Sequence, residues 1–165
     1  MSVQIRPAHH ADASAISELL GQLGYPQDGR AATANRLQTW ADDPAGTAYV
    51  AAAGEDLLGV IAVHVCPFFE RDGSWGRIVA LVVSDRARGR GVGSQLVAAA
   101  ESFAATRGCF SMEVTSADSR HDAHEFYRRR GYIDQAGKSS RFLRDLPTGV
   151  PDRVNERPLP PRRVT

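Results

Sequence analysis

The chain has 165 residues, a formal net charge of +1, 42% hydrophobic residues and 24% charged residues. That length suits one domain with a core of its own, and the small net charge argues against a globally basic nucleic-acid binder, leaving arginine clusters as local anion sites. No apolar run reaches the roughly 18 residues of a membrane span, the start lacks a secretory pattern, and two cysteines are too few for a disulfide-stapled scaffold; the expectation is a soluble, cytoplasmic protein with Cys66 and Cys109 as buried free thiols.

Val3 to Arg6 reads as a short strand stopped by Pro7, which cannot donate to a ladder. A helix is expected from near His10, with Ile16, Leu19, Leu20 and Leu23 at helical spacing and Gly24 and Pro26 behind it. A second, less periodic helix runs from about Gly29 to Ala41, anchored by Leu37 and Trp40 and stopped by Pro44 and Gly46. Thr47 to Ala53 and Leu57 to Val65 are strand-like and joined by Gly54-Glu55-Asp56, a length suited to an antiparallel hairpin. After a loop from Pro67 to Ser74, Trp75 to Val83 forms a nearly continuous apolar run, the pattern of a strand covered on both faces.

That run ends in Ser84-Asp85-Arg86-Ala87-Arg88-Gly89-Arg90-Gly91-Val92-Gly93-Ser94, where an amphipathic helix opens. Glycines let backbone N–H groups approach an anion, a helix start leaves donors unpaired, and arginines add charged forks; the turn suits a pyrophosphate. A P-loop needs a lysine after its last glycine, and none follows Gly93. A dinucleotide fingerprint counted from Gly89 and Gly91 puts Ser94 where its third glycine belongs, although Glu113 sits about where a ribose-binding acid would be. A solvated arginine-rich turn capping the helix is the plainest alternative.

The helix is expected from Val92 to about Arg107, a strand from Cys109 to Thr115, and a shorter helix from about His121 to Arg130. Tyr132 to Ala136 and Ser140 to Leu143 read as two closing strands. From Pro147 to Thr165 the chain is rich in proline and arginine, so residues 1–146 are expected to form the domain and 147–165 a tail. Arg157 to Arg162 superficially matches a ligand for a proline-binding groove, but a low-complexity tail is the reading its composition favours. His121, Asp122, His124 and Glu125 cluster at one helix end, but without a further histidine or cysteine nearby they read as a solvated first turn, and no metal is expected.

Two segments carry a family resemblance. Arg88-Gly89-Arg90-Gly91-Val92-Gly93 resembles the Arg/Gln-x-x-Gly-x-Gly/Ala acyl-CoA loop of the GNAT superfamily of N-acetyltransferases, and Ala123-His124-Glu125-Phe126-Tyr127-Arg128-Arg129-Arg130-Gly131-Tyr132 resembles its Ala-x-x-Phe-Tyr-x-x-x-Gly-Phe/Tyr segment, in the same order. The likeness extends to about Leu146. It implies a mixed α/β fold with a mostly antiparallel sheet of about seven strands flanked by helices, and an enzyme moving an acetyl group from acetyl-CoA to a primary amine by direct attack in a ternary complex. A catalytically silent acyl-CoA-binding module is the alternative.

The resemblance implies that Leu81, Val82 and Val83 bind the pantetheine arm through their backbone, beside the diverging Cys109 to Thr115 strand. The amides of Arg88, Gly89, Arg90, Gly91, Val92, Gly93 and Ser94 would hold the pyrophosphate, with Arg88 the first choice for ionic contact. A backbone N–H near Val82 or Val83 would hold the oxyanion and Tyr127 would meet the leaving thiolate, unless Tyr127 is simply a core tyrosine. Two departures stand out. Ile78-Val79-Ala80-Leu81 carries no acid where many members place a glutamate, which leaves water, His64, or Glu70, Asp72 or Glu113 as proton acceptor, with water preferred; Arg120 stands where many members have asparagine. Phe68, Phe69, Glu70 and Asp72 are expected to line the acceptor site and to suit a cation with an apolar body. The acceptor itself is unreadable, and a homodimer is what the family implies.

Overall fold

The computed structural model describes residues 2–147. The elements run β1 (Gln4–Pro7), α1 (Ala13–Gln22), α2 (Arg30–Asp42), β2 (Gly46–Ala53), β3 (Asp56–Pro67), β4 (Ser74–Val83), α3 (Val92–Thr106), β5 (Cys109–Val114) and α4 (His121–Arg129), with short 3-10 turns at His10–Asp12 and Asp85–Ala87. The sheet is ordered β1-β2-β3-β4-β5; the first three pairings are antiparallel and β4 with β5 is parallel. The α3 crossover between β4 and β5 is the helical connection that parallel neighbours require.

Each face of the sheet has its own core. On one, Ile61, Val63, Ile78, Leu81 and Val83 pack under α3 through Leu96, Val97 and Ala100, with Ala123 and Tyr127 of α4 completing the cluster. On the other, Val50, Val60 and Val82 pack under Ile16 and Leu19 of α1 and Leu23 at its C-terminal cap. Burial on both faces explains the unbroken apolar run at the end of β4. Helix α3 lies close to β3 because Gly59 has no side chain: a Cβ there would stand 2.8 Å from the Val82 carbonyl oxygen and 2.9 Å from Leu96 Cδ1.

Helix α2 is held by polar contacts as well as by Leu37, which packs against the α1 cluster. Thr33 is buried and its Oγ1 lies 2.7 Å from Ser17 Oγ on α1, while Arg36 bridges to Gln27. At the other end of α1, the Arg6 guanidinium forms a paired contact with Asp12 at 2.9 and 2.8 Å, and Asp12 also accepts the His9 backbone N–H. Although desolvation opposes it, this pairing holds the Asp12 carboxyl below its usual range.

Three expectations are corrected. The described residues form five strands, not about seven, and neither Tyr132–Ala136 nor Ser140–Leu143 is a strand. Asp134 bends the chain instead: its Oδ1 accepts the Ala136 N–H at 2.9 Å, and the Lys138 and Ser139 N–H groups both fold back to the Gln135 carbonyl. Such local bonds compete with a ladder, and Ile133, Phe142 and Leu143 are left exposed. The thiols are free but not both buried: Cys66 is exposed and Cys109 half-buried, because each sits near a strand end. Third, Leu37 and Trp40 do not anchor α2 alone: both are half-buried, Leu37 against the α1 cluster and Trp40 against His64, and Thr33 is the buried residue of the helix. The proline- and arginine-rich stretch beyond Pro147, with its groove-ligand motif, lies outside the described residues.

Candidate active site

Strands β4 and β5 run together only part of the way. Their pairing extends from Ser74–Cys109 to Ile78–Val114 and stops, while β4 continues to Val83 still paired with β3. A bulge lies at the parting point, since Ala62 of β3 faces Ala80 and Val63 faces Ile78, leaving Val79 without a partner. Bulges bend a strand and raise its twist, which turns β4 away from β5. Beyond the bulge, alternation decides which groups face the gap. The Ser84 N–H donates to the Leu58 carbonyl of β3 at 2.8 Å, so the Val82 backbone groups also point to β3, while those of Leu81 and Val83 point into the gap.

The glycine turn sits at the open end of that gap. Gly89 and Gly91 both have φ of 76°, the left-handed region that favours glycine, and Gly91 caps α3. Among the described residues, no backbone N–H from Arg88 to Ser94 donates to a backbone carbonyl; Gln95 is the first, to Gly91 at 3.1 Å. These amides form the positive end of a four-turn helix, an arrangement that attracts anions. Arg86, Arg88 and Arg90 are all exposed, and Arg88 forms an ion pair with Asp85 at 2.7 Å. Gly93 brings α3 against α4, where a Cβ would meet the Phe126 ring at 3.4 Å. A cavity of about 190 Å³ opens here, lined by Val83, Arg88, Gly89, Gly93, Asp122 and Phe126. The end of β4, the glycine turn and α4 therefore meet around one space.

Tyr127 is buried, 5% exposed, between the edge-on rings of Phe126 and Tyr132 at 5.2 and 5.6 Å. Its hydroxyl has no hydrogen-bond partner, and burial pushes its pKa well up. The O–H is thus buried and unused, next to Phe126 but not itself part of the cavity lining. Burial, reinforced by Glu101, also pushes Tyr132 up to about 12.

On the α1/α2 face, a second cavity of about 360 Å³ is lined by residues including Phe68, Phe69, Glu70, Arg71, Trp75 and Glu113. Phe69 is fully exposed, Arg71 stacks on the Phe68 ring at 4.1 Å, and Asp72 is not part of the lining. The structure thus brings Phe68, Phe69 and Glu70 together and leaves Asp72 outside. Glu113 is tied to Arg77, whose Nη2 also donates to Thr115 at 3.1 Å. His64 lies 2.9 Å from Asp43, a partner 21 residues earlier that the sequence did not announce; only the Asp43-Pro44 turn pointed to that neighbourhood. In α4, His124 Nε2 lies 3.0 Å from the Ala117 carbonyl and Arg120 contacts Asp122 at 3.5 Å. No group of three or more metal-ligating side chains occurs among the described residues, and none of their helices is long and apolar enough to cross a membrane.

Comparison with known proteins matches residues 14–132 to the model of the acetyltransferase (GNAT) family. An aminoalkylphosphonate N-acetyltransferase of Salmonella typhimurium is 40% identical over 78 residues, 47% of this chain and 50% of that protein, so the match spans half of the relative's length. Among solved structures, a transcriptional regulator from Bacillus halodurans aligns with a TM-score of 0.77 and 24% identity over 88% of this chain and all of that one. An aminoglycoside N-acetyltransferase in complex with CoA aligns with a TM-score of 0.74 and 18% identity, over 87% of this chain and 95% of that one. At such identities the structural likenesses speak for the fold alone.

Proposed function

The chain belongs to the acetyltransferase (GNAT) family, and from that premise we propose that it moves an acetyl group from acetyl-CoA to a primary amine by direct attack in a ternary complex. The observation that carries this reading is the row of unpaired amides from Arg88 to Ser94 at the mouth of the β4–β5 gap. The pyrophosphate rests on those amides, assisted by Arg88 once it leaves Asp85. The pantetheine runs along β4, bonded to the gap-facing groups of Leu81 and Val83. The thioester then lies toward the bulge, and of the two amides expected to hold a developing oxyanion only that of Val83 faces the gap.

Tyr127 supplies its unused O–H to the leaving thiolate. Full proton delivery is uphill, because a thiol titrates near 8.5 and this phenol well above its usual range, so the hydroxyl acts chiefly as a hydrogen-bond donor. The amine acceptor occupies the larger cavity, where Phe68 and Phe69 give apolar walls and Glu70 a carboxylate for a cation. The aminoalkylphosphonate acceptor named for the Salmonella relative supports a small amine, and the Arg71 guanidinium would suit an acid group on it. A homodimer working in the cytoplasm completes the reading, with light scattering as the check on assembly.

Calorimetry with acetyl-CoA, followed by thiol-release assays over an amine panel, tests the proposal. Binding together with amine-dependent release well above hydrolysis is expected; binding without release for any amine would mark a silent acyl-CoA module. Arg88→Ala is expected to weaken CoA binding about tenfold, the loss of one charge-assisted contact.

A further inference from the structure

His64 of β3 is held more tightly than a surface histidine needs. Its Nε2 lies 2.9 Å from Asp43 Oδ2, and the other oxygen of Asp43 accepts the Ala45 backbone N–H at 2.9 Å. That backbone bond first, and His64 second, hold the Asp43 carboxyl below its usual range. An ionised carboxylate only accepts, so Nε2 carries the proton and Nδ1 presents its lone pair. The ring is confined as well. Trp40 of α2 meets it edge-on at 6.0 Å, and Gly46 of β2 leaves the slot it occupies, since a Cβ there would stand 3.0 Å from His64 Cδ2 and 3.1 Å from Trp40. The Val65 N–H bond to the Ala45 carbonyl, 2.8 Å, ties the Asp43 turn to the same strand.

The position of the imidazole matters as much as its fixation. His64 faces Arg77 across β3–β4, and Arg77 faces Glu113 across β4–β5, so the three form a row on the α1/α2 face. The next pair, Ile78–Val114, is the last before the strands part, and Glu113 also lines the acceptor cavity. Asp43, Arg77 and, behind Arg77, Glu113 are the charged groups facing His64; β2 offers Gly46 and α2 offers Trp40. Meanwhile β4 carries no acid from Ile78 to Leu81.

We infer that His64, oriented by Asp43, accepts the proton of the acceptor ammonium through an intervening water. This rests on the acetyl-transfer reading above. The water gives a proton to Nδ1 and takes one from R–NH3+; the neutral amine forms the C–N bond as the C–S bond breaks, its second proton goes to the thiolate, and the imidazolium returns its proton to solvent. The sum is R–NH3+ plus acetyl-CoA giving R–NH-acetyl, CoA thiol and one proton. Asp43 is a positioning residue.

The experiment compares wild type, His64→Gln and Asp43→Asn with the fastest alkylammonium acceptor of the panel and with hydroxylamine, which is already neutral at assay pH. His64→Gln is expected to lower kcat/KM for the alkylammonium about 100-fold and leave a rate that tracks the fraction of neutral amine in solution, while sparing hydroxylamine and the affinity for acetyl-CoA. Asp43→Asn keeps the ring but loses the charge that orients it, and is expected to lower kcat/KM for the alkylammonium about tenfold while sparing hydroxylamine. An unchanged pH profile in His64→Gln, or equal losses with the two acceptors in either variant, overturns the assignment and leaves the pair as a latch between the turn and β3. If His64→Gln fails to fold, Asp43→Asn decides alone. Failure of wild type to release thiol with any amine rejects the acetyl-transfer reading itself.

Discussion

Tyr127 shows how one residue can cost stability and serve chemistry. Its hydroxyl is buried without a partner, a condition that costs about 1–3 kcal/mol in general, and a phenylalanine would fill the same space. Tyr127→Phe is therefore expected to leave thermal stability unchanged or raise it, while lowering turnover about 10- to 100-fold; equal turnover would reduce Tyr127 to a core residue. Asp12 gives the opposite case, a charge held for structure. Its folded pKa is depressed, so its stabilising contribution is present above the ordinary carboxylate range and is lost as pH falls through that range and below it. Asp12→Asn should destabilise by about 1–3 kcal/mol at neutral pH, and the gap between the two melting curves should close in acid.

At the scale of elements, the close contacts lie where glycine removes a side chain. Gly59→Ala would press a Cβ against the Val82 carbonyl, and a backbone oxygen within the sheet cannot retreat as a side-chain end can. A loss of about 1–3 kcal/mol is expected, read as a fall of about 2–4 °C in melting temperature per kcal/mol. Helix α1 was legible because Ile16, Leu19 and Leu23 repeat at the helical period and are buried as that period requires. Helix α2 was legible in extent and in the inward packing of Leu37 and Trp40, but not in its buried Thr33, whose pairing with Ser17 leaves no apolar pattern. The two closing strands were misread for a related reason: apolar alternation marks a segment able to pair, whereas Asp134 and Gln135 supplied local bonds that turn the chain away.

For the molecule as a whole, the elements from β1 to α4 contain both apolar clusters, and both cavities lie among them. We propose residues 1–146 as the catalytic domain, and a chain cut after Leu146 is expected to keep the melting temperature and acetyl-CoA affinity of the full protein, as measured by calorimetry. Weaker binding after the cut would assign the proline- and arginine-rich stretch a part in holding the cofactor. The glycine-arginine turn and the Phe126-Tyr127 segment were visible in the chain because local backbone requirements, left-handed glycines and a helix start, are written in neighbouring residues. The family and most of the element order followed from those two segments and the apolar periods. Only the tertiary structure decided that β4 parts from β5 after Ile78, that Val83 rather than Val82 turns its amide to the gap, and that His64 meets Asp43. Each depends on strand register, a bulge or contacts between distant residues, and pairing across the sheet fixes such geometry without leaving a local pattern in the chain.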